Sequence, residues 1–223
     1  MHQRKGKKIL IYFFLLLLVG SVNNIELNNI NFHKIKDIDV RGLEDNNNII
    51  LMNEIRKLNL SNIFFINKKR ISNQISLNNL VEEFKVFKKY PYVLDVHVKK
   101  TKFLARTNHQ GKIFLIGSNG KLSSNKSSNN ELPFIFGKLN VSEFLNIKKK
   151  IDESSFFYNE IKNFYYFSSR RWDFELKNNV LIKLPKNNVE ESLELVFNFL
   201  SNNNFEDIKI IDARVKNQII IND

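Results

Sequence analysis

The chain of 223 residues has no cysteine. That absence excludes disulfides, thiolate zinc sites and a thiol nucleophile, so the fold must be held by burial alone. Histidine is scarce, and His2, His33, His97 and His109 share no metal-ligand spacing. His97 falls on the polar side of an alternating run, which points to the surface. Asp152 and Glu153 follow Lys148–Lys149–Lys150 and read as a solvated helix face, not as a carboxylate pair set for acid–base work. Gly117-Ser118-Asn119-Gly120 lacks the lysine and the second glycine spacing of a phosphate loop and reads as a hairpin turn. Ser168 and Ser169 precede Arg170 and Arg171 with no histidine nearby. There is no repeat longer than a hairpin. These absences argue against an enzyme and leave no cofactor, metal or small-molecule substrate to expect.

Apolar residues, by contrast, are plentiful. Hydrophobic side chains make up 43% of the chain and include 20 phenylalanines, enough to build a core without crosslinks. The formal charge of +12 can signal nucleic acid or anionic lipid. Lysine and asparagine are spread along the whole chain, however, which reads as solvation and argues against a nucleic acid partner.

The amino-terminal segment is the strongest single signal. Arg4, Lys5, Lys7 and Lys8 precede the apolar run Ile9, Leu10, Ile11, Tyr12, Phe13, Phe14, Leu15, Leu16, Leu17, Leu18, Val19. A basic head before an apolar stretch keeps the head in the cytoplasm and exports the rest of the chain. Ile9 to Val22 spans about 21 Å as a helix, against a hydrocarbon core of about 30 Å. The length suits a removable signal, and Val19-Gly20-Ser21 offers small residues for cleavage. The density of Leu and Phe, and lysines able to reach the headgroups, suit a retained anchor. The residues by themselves leave both readings open.

Beyond a polar spacer, Ile38 and Val40 alternate with Asp37, Asp39 and Arg41, the pattern of a half-buried strand ending at Gly42. Asn46 to Asn48 offer caps for a helix carrying Leu51, Ile55 and Leu58 on one face. Asn62 to Asn67 form a compact apolar link, and Ile71 and Ile75 mark a second helix. Phe84 and Val86, then Leu94, Val96 and Val98, make a hairpin turning at Pro91. Phe87 and Tyr92 are expected as exposed aromatics there. The order is β-α-α-β-β.

From Phe103 the strands shorten. FLARTN, KIFLIG, KLSS and LPFIFG read as strands, and Ser123 to Glu131 as a loop. Phe144, Ile147 and Ile151 suit a helix, and so does the stretch around Ile161, Phe164 and Tyr165. RWDFEL and VLIKLP form a hairpin across Asn178-Asn179. Leu193, Val196, Phe197 and Leu200 define the best helix, with Asn188 and Glu191 as a capping-box-like start. The chain closes with IKIIDARV and QIII, joined at Lys216-Asn217. Ile219, Ile220 and Ile221 are β-branched, and a last strand is often an edge, open to pairing with another chain. A central strand buried on both faces fits the same residues.

The order of segments resembles the bacterial cell-division family FtsQ/DivIB over nearly the whole chain. KKYPYVLDVHVKKTKFLA is similar to the turn and strand of the family's POTRA domain. KIFLIGSNGKL resembles the strand–turn–strand that opens its β domain, with Ser118 and Asn119 where the family usually has an Asp before its Gly. RRWDFELKNNVLIKLP is similar to an Arg-x-Trp-x-Leu segment, with Phe174 at an apolar position, and IDARVKNQIII to the closing strand pair. The resemblance implies an α+β fold with a single N-terminal transmembrane helix, a small POTRA domain (β-α-α-β-β), then a mixed β domain with a few helices. It divides the chain into a cytoplasmic tail 1–8, an anchor 9–22, a spacer 23–31, a POTRA domain 32–102 and a β domain 103–223.

The function so implied is that of a non-enzymatic divisome scaffold at the septum. It would sit in the bacterial inner membrane with most of its mass in the periplasm and bind FtsB/FtsL-like partners by β-augmentation. The partner-binding residues expected from the resemblance are Asp212, Arg214, Asn217, Gln218, Ile219, Ile220 and Ile221. A tethered scaffold also favours a retained anchor over a cleaved signal. The alternatives are a POTRA-containing outer-membrane-assembly or secretion factor, or a secreted periplasmic binding protein with a cleaved signal peptide. An outer-membrane factor needs a long β-barrel, and the residues after Phe103 lack its regular strands.

Overall fold

The structure, a computed structural model, describes residues 3–22, 34–124, 131–138, 140–202 and 208–222. The spacer expected over 23–31, His2, His33 and most of the loop expected over Ser123–Glu131 lie outside them. The basic head and apolar run form one helix, α1 (Gln3–Val22), with its apolar side chains from Ile9 to Val19 exposed. Among the described residues no helix is long and apolar enough to cross a membrane.

The first domain runs β1 (Asp37–Arg41), α2 (Asp45–Arg56), a 3-10 turn (Ile63–Phe65), α3 (Lys68–Leu77), β2 (Val81–Lys89), β3 (Val93–Lys100). This is the expected β-α-α-β-β order. The sheet order is β1-β3-β2, with β1 parallel and β2 antiparallel to β3. Leu51 and Ile55 of α2 and Ile71 and Ile75 of α3 bury against Ile38, Leu94, Val96 and Val98. Gly42 stops β1 at φ +113°, where a Cβ would lie 1.7 Å from the Val98 carbonyl oxygen.

Two local expectations change here. Asn46, Asn47 and Asn48 lie inside α2 rather than capping it. Asn48 instead binds back to Leu43, accepting from its N–H at 3.1 Å and donating to its carbonyl at 3.0 Å. The link Asn62–Asn67 buries only Ile63 fully, and leaves Phe64 and Phe65 outside.

The second domain contains β4 (Phe103–His109), β5 (Lys112–Gly117), β6 (Leu122–Ser124), β7 (Phe134–Phe136), α4 (Val141–Asp152), β8 (Ile161–Tyr166), β9 (Trp172–Leu176), β10 (Leu181–Lys183), α5 (Val189–Asn202), β11 (Ile210–Asp212) and β12 (Ile220–Asn222). They build one nine-stranded sheet in the order β12-β11-β10-β9-β8-β7-β4-β5-β6. Phe144, Ile147 and Ile151 from α4 and Leu193 and Val196 from α5 pack on one face, over a row made by Ile135, Phe164, Phe174, Ile182 and Ile211.

The stretch around Ile161, Phe164 and Tyr165, expected as a helix, is strand β8. Its i, i+3 apolar spacing imitates a helix because the register with β9 shifts between Ile161 and Asn163. The extra residue of that bulge lets both Ile161 and Phe164 face the core. Asn188 sits at φ +56°, outside the extended conformation of a side-chain cap, so the capping box expected with Glu191 does not form.

Candidate partner-binding edge

A β-sheet must end somewhere, and each end carries unpaired backbone groups. The nine-stranded sheet ends on β6 and β12. At β6 the first domain covers the end: Asn79 Nδ2 donates to the Leu122 carbonyl at 2.8 Å. Nearby, Asn119 Nδ2 donates to the carbonyls of Asn79 and Val81, each at 2.9 Å, and Lys121 Nζ to that of Asn78 at 3.2 Å. At β12 no strand or side chain takes the outer flank among the described residues. The strand pairs with β11 alone, Ile211 opposite Ile221 and Asp212 opposite Ile220.

The predicted partner-binding residues divide into three groups. Ile220 and Ile221 lie in β12 and are 53% and 47% exposed, on the two faces of the edge. Ile219 precedes the strand and packs against the core. Asp212 ends β11, while Arg214, Asn217 and Gln218 lie in the exposed connection to β12. Asn217 takes φ +56°, and Gln218 N–H donates to the Val215 carbonyl at 3.2 Å, which closes the turn. The strand therefore begins two residues later than QIII suggests and extends through Asn222.

Arg214 folds back on Asp212, with Nε 2.8 and 2.9 Å from its two carboxylate oxygens. That pairing holds the Asp212 carboxyl below its ordinary value against the opposing effect of burial, and raises the Arg214 guanidinium further. On β9, burial pushes the Asp173 carboxyl up, although Arg171 at 3.2 Å opposes the shift.

Sequence reading missed the wall beside this edge. β10 and β11 are parallel neighbours joined by the crossover helix α5. The crossover brings Pro185, Asn188, Glu191 and Leu195 against Arg214 and Asn217, forming a shallow notch. Only the crossover topology joins these positions, and nothing in their own sequence marks them.

The residues expected to form an anchor, Ile9, Tyr12, Phe13, Phe14, Leu15, Leu16, Leu17, Leu18 and Val19, present an apolar surface on all sides of α1. Among the described residues no group of three His, Asp or Glu side chains could hold a metal ion. What the edge offers is a row of main-chain donors and acceptors flanked by two isoleucines, the kind of edge to which another strand can be added.

The profile of the domain described as "POTRA domain, FtsQ-type" matches residues 33–100, and that of "Cell division protein FtsQ/DivIB, C-terminal" matches residues 105–214. Cell division protein FtsQ of Rickettsia bellii is 25% identical over 197 residues, covering 84% of this chain and 72% of that protein. Cell division protein DivIB of Clostridium botulinum is 30% identical over 125 residues, 54% of this chain and 46% of that one. The extracytoplasmic domain of DivIB from Geobacillus stearothermophilus overlaps 37% of this chain and 76% of its own, at 13% identity and a TM-score of 0.30, a likeness too slight to argue from.

Proposed function

The chain belongs to the FtsQ/DivIB family of cell-division proteins, a family of scaffold type and not of enzymes, and we propose that it links division proteins at the septum by accepting a partner strand at β12. The observation that carries this reading is the asymmetry of the nine-stranded sheet. Its β6 end is bonded to the first domain, and its β12 end has an open flank with two half-exposed isoleucines. A partner strand there gains main-chain hydrogen bonds, each worth about 0.5–1.5 kcal/mol net, and covers Ile220 and Ile221. The partners proposed are FtsB/FtsL-like proteins of the division complex.

In the same reading α1 is an inner-membrane tether that leaves both domains outside the cytoplasm, in the periplasm. Its apolar run is short for a full span, and local thinning of the bilayer together with Lys7 and Lys8 reaching the headgroups accommodates the mismatch. Two experiments test the pair of ideas. A fluorescent fusion should mark the division site as a midcell band, and an even envelope signal counts against the septal role. Sequencing the amino terminus of the mature protein should find the head retained, and a start near Val22 would replace the tether by a cleaved signal.

A further inference from the structure

The end of the first domain at which the chain enters carries an aromatic and basic surface that the fold does not explain. Lys34 bridges Asn62, Ile35 N–H donates to the Ser61 carbonyl at 3.3 Å, and Lys36 N–H to the Tyr92 carbonyl at 3.0 Å. Chain entry, the 3-10 turn and the β2–β3 turn thus share one end of the domain. There Phe64, Phe65 and Tyr90 are 52%, 74% and 61% exposed, and the Phe64 and Tyr90 rings lie 5.1 Å apart.

The charge on the 3-10 turn and α3 side of this end has one sign, and Asp37 at the start of β1 is the acidic neighbour across from it. From Ile55 to Val81 the sequence has Arg56, Lys57, Lys68, Lys69 and Arg70 and no acidic residue. Lys68, Lys69 and Arg70 occupy the first turn of α3, all exposed. Cations at a helix amino terminus oppose the helix dipole and weaken the helix, so the fold gains nothing from them there. The same dipole, with three cations added, favours phosphate. Lys34, Lys36 and Arg56 line a cleft on the same end.

Eleven residues, 23–33, separate α1 from Lys34. Fully extended they reach no more than about 40 Å, so a tethered chain keeps this end close to the bilayer. Exposed aromatics beside clustered cations suit the interface of an anionic membrane, rings at the headgroup level and ammonium groups on phosphate. We infer that this end of the first domain docks on anionic phospholipid and seats the domain on the outer face of the tethering membrane, an inference that rests on α1 being a tether.

The test uses the full chain reconstituted into vesicles of phosphatidylcholine, with or without phosphatidylglycerol, containing brominated lipid as quencher. Phe65→Trp reports on docking and Tyr12→Trp on the tether. The parent chain, whose one tryptophan, Trp172, is buried in the second domain, sets the baseline. Docking predicts added quenching at Phe65→Trp with phosphatidylglycerol, less without it or in high salt, and a docking constant at least about tenfold weaker when Lys68→Glu and Lys69→Glu are added. No added quenching at Phe65→Trp, or quenching indifferent to lipid charge and to the two glutamates, overturns docking. Quenching at Tyr12→Trp alone leaves the tether standing and sinks docking. Quenching at Phe65→Trp alone shows that the surface binds lipid but sinks the tether, and with it the seating of the domain on a tethering membrane.

Discussion

Ser118 Oγ donates to Glu82 Oε2 at 2.6 Å across the line between the two domains. Thr101 Oγ1 donates to the same carboxylate oxygen at 2.9 Å, and Thr101 and Lys102 are all that separate β3 from β4. A linker this short, bonded on both sides, limits how far the two domains can turn against each other. Glu82→Ala should remove both bonds and lower stability by about 1–3 kcal/mol, read as a lower urea midpoint. Small-angle scattering should show a wider spread of domain arrangements. Unchanged scattering would mean that Glu82 does not hold the junction.

Phe164 is fully buried at the centre of the second core, between Phe144, Trp172 and Phe174. Phe164→Ala should cost about 3–5 kcal/mol. Phe134 and Phe136 flank the same sheet on its other face, with Phe136 exposed. Phe136→Ala should cost less than about 1 kcal/mol. Thermal melts of the two variants distinguish the faces directly.

Two buried aspartates should titrate in opposite senses. Burial alone would raise the Asp95 carboxyl, but Lys89 at 2.6 Å, His97 at 3.1 Å and Arg41 at 3.2 Å together hold it below its ordinary 3.8. Its contribution is therefore complete above 3.8 and is lost as pH falls through the lower folded value. Lys89 and Arg41 are themselves half-exposed, so the effect is modest. Asp95→Asn should cost about 0.5–1.5 kcal/mol at neutral pH, with parent and variant converging in acid.

Asp173 is raised above 3.8, chiefly by burial, so its charge costs stability as pH climbs through the interval between 3.8 and its folded value. Asp173→Asn should then be neutral or stabilising at neutral pH and show no gain in strong acid. Urea unfolding of both variants across pH checks the two signs.

Much of this architecture was legible in the sequence because its periods were clean. Ile38 and Val40 gave period two, and Leu51 with Ile55 and Ile71 with Ile75 gave the helical period, so β-α-α-β-β followed. β8 was misread because a bulge between Ile161 and Asn163 turns strand residues at i and i+3 to the same side. The compact apolar link of Asn62 to Asn67 leaves Phe64 and Phe65 exposed, since composition does not tell an exposed aromatic from a buried one. At the last strand, QIII fits an edge or a centre equally well. Only the order of strands places β12 at the rim, and only the α5 crossover brings Glu191 and Leu195 beside Arg214.

The open flank of β12 is the centre of the account, and one measurement addresses it most directly. The full chain carrying Ile220→Pro or Ile220→Lys is co-purified with FtsB/FtsL-like partners, with circular dichroism and a thermal melt confirming its fold. A proline takes an N–H out of the strand and a lysine places a charge on the edge, and each blocks pairing there. The account predicts that both variants stay folded and lose the partner, while Ile113→Lys, at an exposed position on β5 far along the sheet order from β12, retains it. Folded Ile220 variants that still bring down the partner would contradict it.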